Sequence, residues 1–79
     1  MVLKKNIAVS DNGFLFNPTT GDSYSLNATG IEFLKLLQKG KQNDEIIAEI
    51  SAEFEIDTIT VEKDLNDFKS TLVRLKLAE

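Results

Sequence analysis

The sequence predicts an α+β fold: a three-stranded antiparallel β-meander followed by a three-helix bundle. Three observations predict it. Short apolar runs in the first third alternate at period two, and Asn-Gly and Pro-Thr-Thr-Gly turn signals separate them. The period changes at Asn27, after which apolar residues recur at helical spacing. The 79 residues, 42% hydrophobic and 28% charged, suffice for one domain (1–79) with one small core.

The first strand is read at Asn6–Ser10, with β-branched residues at two positions. Asp11-Asn12-Gly13 reverses the chain. Gly13–Asn17 forms the second strand, in which Phe14 and Phe16 share one face. Pro18-Thr19-Thr20-Gly21 is turn chemistry, because Pro presets φ and Gly tolerates positive φ. Ser23–Leu26 alternates polar and apolar residues, the pattern of a half-buried third strand.

Asn27 is a good N-cap, and Ala28 onward is helical. Ile31, Phe33, Leu34, Leu36 and Leu37 are apolar on nearly every side, which predicts a central helix. Lys35 and Lys39 suit its C-terminal half, and Gly40 suits the position after its cap. A second helix begins at Asn43, with Asp44 and Glu45 in its first turn and a stripe of Ile46, Ile47, Ile50 and Phe54. Glu55-Ile56-Asp57 breaks the pattern. A third helix runs from Thr58 or Thr60 to about Leu75, with a seam of Val61, Leu65, Phe68, Leu72 and Leu75. Asp64 and Thr71 border one side of that seam; Lys69, Val73 and Lys76 border the other. Helix-turn-helix packing after a small sheet is a winged-helix-like arrangement.

Composition removes several function classes. The chain contains no Cys and no His. Thiolate chemistry, disulfides and the usual neutral-pH general base are therefore excluded, as are Cys- and His-ligated zinc sites. Asp64 and Asp67 lie one helical turn apart, but with no partner base they read as a solvated helix face, and no enzyme activity is expected. Asp11, Asn12 and Gly13 do not continue into a calcium-loop ligand pattern, so neither metal nor cofactor is expected. No apolar run reaches the ~20 residues of a membrane span, and the N-terminus lacks signal-peptide order. A soluble cytoplasmic protein is the expectation.

Net charge is −4, and its distribution is uneven. Asp44 to Asp67 holds nine acids and one base, Lys63. Such a half is a poor partner for phosphate backbones, although the third helix of a winged helix often enters the DNA major groove.

In strand order 1-2-3, Ser23–Leu26 is an edge with free N–H and C=O groups. No charge, proline or bulge guards it. Such an edge can dock an extended peptide by strand addition. It can also pair with a second copy, which leaves a monomer or a weak homodimer. Phe68 is placed to be core on one side and groove floor on the other.

The order of residues also resembles a known family. Leu26-Asn27-Ala28-Thr29-Gly30, followed by Phe33-Leu34-Lys35-Leu36-Leu37 and Gly40, resembles the first-helix signature of PqqD-like proteins. Glu45-Ile46 and Glu53-Phe54 resemble the family's second helix, and Asp64-Leu65 with Phe68 and Leu72 its third. The resemblance spans roughly residues 14 to 77. It implies a non-catalytic recognition element for ribosomally made precursor peptides. Such an element binds the leader segment and presents it to a modifying enzyme, often a radical SAM protein or a protease. It further implies that the leader adds as a strand to Ser23, Tyr24, Ser25 and Leu26, against a helix wall of Asp64, Asp67, Phe68, Thr71 and Leu72. Leu34 stands where the family frequently has Trp, Lys69 where it has Leu and Lys76 where it often has Gly. The alternatives are a winged-helix nucleic-acid binder and a structural subunit of an enzyme complex that binds no peptide.

Overall fold

A computed structural model describes residues 3, 7–10 and 12–78. Its elements are β1 (Ala8–Val9), β2 (Phe14–Asn17), β3 (Asp22–Ser25), α1 (Ala28–Gln38), α2 (Asn43–Phe54) and α3 (Thr58–Arg74). The sheet is antiparallel in the order β1-β2-β3. This is the expected meander followed by three helices. Of the strand read at Asn6–Ser10, only Ala8–Val9 is β1; Asn6 and Asp11 lie outside the described residues.

The first reversal differs from a two-residue Asn-Gly turn. The Ser10 N–H donates to the Phe14 carbonyl (2.8 Å) and the Gly13 N–H to the Ser10 carbonyl (3.1 Å). The loop is therefore three residues long and ends on Gly13 at φ 87°. Glycine is required here twice over. The φ is left-handed, and a Cβ would come within 2.9 Å of Ile31 Cδ1 and 3.0 Å of the Leu26 carbonyl.

Phe14 and Phe16 do share a face, and it is the outer one: they are 50% and 41% exposed. The helices cover the opposite face, so Leu15 and Asn17 are the buried pair of β2. Burial of Asn17 is tolerated because its Oδ1 accepts the Thr19 N–H at 3.0 Å.

α1 runs between two apolar clusters, as its all-round hydrophobicity predicts. Phe33 and Leu36 join Ile46, Ile50, Val61 and Leu65 on the side of α2 and α3. Leu34 joins Leu15, Leu72, Leu77 and Ala78 on the side of the sheet. Leu37 and Phe68 touch both clusters.

Local signals set the helix ends. Asn27 Oδ1 accepts the Gly30 N–H (2.7 Å), and Asp57 Oδ1 accepts the Thr60 N–H (2.9 Å). At the start of α2 the Glu45 carboxylate accepts the Gln42 N–H (3.1 Å). α1 closes at Gly40, whose N–H donates to Leu37 while that of Lys41 reaches back to Leu36.

α3 closes the same way without glycine. Lys76 takes a left-handed φ of 62°, its N–H donates to the Val73 carbonyl (3.0 Å), and the Leu77 N–H donates to Leu72 (2.8 Å). The turn has a left-handed backbone requirement that glycine meets freely and Lys76 meets under strain. The turn sends Leu77 and Ala78 back into the core, where Ala78 bridges to Leu3. Among the described residues no helix is long and apolar enough to cross a membrane.

Candidate functional site

β3 is an edge strand, and the direction of its backbone groups follows from its register. The Leu26 N–H donates to the Gly13 carbonyl at 2.7 Å, so that pair is hydrogen-bonded. Antiparallel pairing alternates. With Leu15 opposite Tyr24, Tyr24 turns its backbone toward β2. Ser23 and Ser25 turn theirs toward the open edge. Their side chains are exposed, on the same outer face as Phe14 and Phe16, to which they are paired. The Tyr24 side chain is half-buried against the sheet-side core, and so is Leu26.

The edge leads into a groove. β3 passes through Leu26 to Asn27, and Asn27 is the first lining residue of a cavity of about 310 Å³ between the start of α1 and α3. α1 contributes Thr29, Gly30 and Phe33; α3 contributes Asp64, Asp67, Phe68 and Thr71. The four α3 residues lie at i, i+3, i+4 and i+7, one continuous stripe on a helix. The rings of Phe33 and Phe68 meet at the floor, 5.6 Å apart and tilted by 45°. Thr71 turns its hydroxyl back to the Asp67 carbonyl (2.9 Å).

Gly30 leaves room for the Phe68 ring of α3 at this point. A Cβ there would lie 3.5 Å from Phe68 Cε1 and 3.1 Å from the Asn27 oxygen that caps α1. Gly30 is itself buried. Any larger residue would occupy cavity space.

The charges around the groove are segregated. Asp64 and Asp67 form no ion pair among the described residues. Lys69, on the far side of α3, donates instead to Asn43 Oδ1 at the start of α2. Lys69, Ser70, Val73 and Arg74 line a separate shallow depression on that far side.

Of the sequence-predicted site residues, the structure brings Asp64, Asp67, Phe68 and Thr71 together in the groove. It places Ser23, Tyr24 and Ser25 on β3, which begins at Asp22, one residue before the expected strand, and Leu26, expected to end that strand, in the short link to α1 that leads to the groove. Leu72 lies elsewhere: it is 2% exposed and packs within the sheet-side core. Asn27, Thr29, Gly30 and Phe33 complete the lining and were not predicted as site residues. Their signal was present as the capped start of α1, a local feature whose position opposite α3 is tertiary.

Among curated protein sequences none matches. Two solved structures are similar over nearly the whole chain. One, "TbiB1 in Complex with the TbiA(beta) Leader Peptide", is 35% identical with a TM-score of 0.87, covering 100% of this chain and 95% of that one. The other, "Lasso peptide synthetase B1 complexed with the leader peptide", is 22% identical with a TM-score of 0.86, covering 98% and 94%, and shares the fold. Residues 12–78 match the family described as "Coenzyme PQQ synthesis protein D (PqqD)". With the capped first helix, the open third strand and the groove between α1 and α3, this chain belongs to the PqqD family.

Proposed function

We propose that this chain is a non-catalytic adaptor. It binds the leader segment of a ribosomally synthesised precursor peptide and presents it to a modifying enzyme, such as a radical SAM protein or a protease. The leader adds as a strand to β3, with side chains entering the groove between α1 and α3. One observation carries the reading: β3 turns the backbone groups of Ser23 and Ser25 outward and continues through Leu26 to Asn27, which lines the cavity that Phe68 floors. The 35% identical structure holding a leader peptide supports it. The absence of His and Cys from the chain supports an adaptor over an enzyme. The acidic α3 wall is the opposite of what a nucleic-acid reading needs.

The test is Ser25→Pro. Proline removes an N–H that faces the open edge and leaves the β2–β3 ladder intact. Fluorescence anisotropy with the labelled leader segment of any short peptide encoded nearby that binds the wild type should show affinity at least about tenfold weaker, the cost of one to two hydrogen bonds. Unchanged affinity in a folded variant contradicts strand addition.

A further inference from the structure

The groove has a floor and a wall of different chemistry. Phe33 and Phe68 form an apolar floor, and Asp64 and Asp67 stand on α3 beside it. Among the described residues no lysine or arginine lines this cavity. Lys63 lies four residues before Asp67 yet makes no ion pair with it, and Lys69 is engaged with Asn43 on the far side of the helix. From α1, the opposing charge is the partial positive end of the helix, about half a unit. Asn27 Oδ1 already covers the Gly30 N–H there. Two full negative charges outweigh that partial charge, so the groove is an anionic slot over an aromatic floor.

We infer that the peptide docked on β3 carries a lysine or arginine in register with Asp64 and Asp67. This rests on the peptide-binding reading above and names the chemistry that reading leaves open. The alkyl stem lies along Phe68, where an aliphatic chain keeps its packing while its head stays near water. The head forms charge-assisted hydrogen bonds with the two carboxylates and lies near the ring faces, an additional attraction. An acidic side chain at the same register would meet two like charges at close range and be rejected.

The test is a selection from a random peptide library displayed on mRNA, using the immobilised chain and, in parallel, a folded Asp64→Asn/Asp67→Asn variant. The expected result is a consensus with Lys or Arg at one fixed position. In the variant that preference disappears while the other consensus positions persist. The selected peptide should bind the variant about tenfold more weakly at low salt, and the gap should narrow as salt rises. A consensus without a basic position, or one unchanged in the variant, overturns the inference while leaving peptide binding intact. A selection that enriches no sequence contradicts the peptide-binding reading and this inference with it.

Discussion

The ring of Phe68 lies 5.6 Å from that of Phe33, and Phe68 also packs against the core beneath the sheet. One residue thus links both apolar clusters and floors the groove. Its removal should act on stability and binding together. Phe68→Ala should cost about 2–3 kcal/mol, less than a fully buried Phe because Phe68 is half-buried, and should abolish leader binding. Phe68→Leu should cost about 1 kcal/mol while still weakening binding, because it retains bulk and loses the flat floor. Urea unfolding and anisotropy on both variants check this. A Phe68→Ala variant that binds normally would remove the groove from the account.

Gly30→Ala tests the space that Gly30 leaves beside the Phe68 ring. The added methyl lies 3.5 Å from Phe68 and crowds the Asn27 cap at 3.1 Å. Helix propensity favours Ala by about 1 kcal/mol, and the disturbed cap opposes it by a similar amount. Net stability should change little. Leader affinity should fall, because the methyl fills the cavity. Equal affinities would show that the peptide does not enter beside Gly30.

Lys76→Gly should stabilise the chain. Lys76 holds φ at 62°, where a side chain costs about 1 kcal/mol and glycine does not. Part of that gain is lost to glycine's greater freedom when unfolded, leaving roughly 0.5 kcal/mol. Thermal unfolding reads the shift. A lower melting temperature would mean that the Lys76 side chain contributes more than its backbone strain costs.

Asp57 predicts an acid limb in stability. Hydrogen bonds from the Thr60 backbone and hydroxyl hold its carboxyl below the ordinary value of 3.8. A carboxyl whose pKa is lowered on folding adds stability that is complete above the unfolded value. That stability is lost as pH falls through the folded one. Asp57→Asn keeps a capping oxygen and loses the ionisation. The stability gap between wild type and variant should therefore shrink below pH 4, as urea titrations across that range would show. A gap constant with pH would contradict the assignment.

What the sequence made legible was mostly local. Asn27 and Asp57 act as caps within three residues, and the helices begin where those residues place them. The edge position of the third strand could be read because sheet order in a short meander follows chain order, although the strand starts one residue earlier than expected, at the charged Asp22. Other features depend on packing between distant elements. Alternation puts Phe14 and Phe16 on one face, and only the helices' position decides that it is the outer one. Leu77 and Ala78 follow the third helix with no periodicity of their own, yet the left-handed turn at Lys76 buries them. Leu72 shares the seam with Phe68 but lies on its core side. Gly30 and Thr29 read as the start of a helix, and only the crossing of α3 makes them a groove wall.

The most direct measurement is an NMR titration of isotope-labelled protein with the leader segment of any short peptide encoded nearby. The account predicts amide shifts concentrated on Ser23–Leu26, Asn27–Gly30 and Asp64–Thr71, with Ser23 and Ser25 amides becoming protected from exchange. Shifts confined to α2 or to the far side of α3 around Lys69 and Val73, with the β3 amides unchanged, would contradict it.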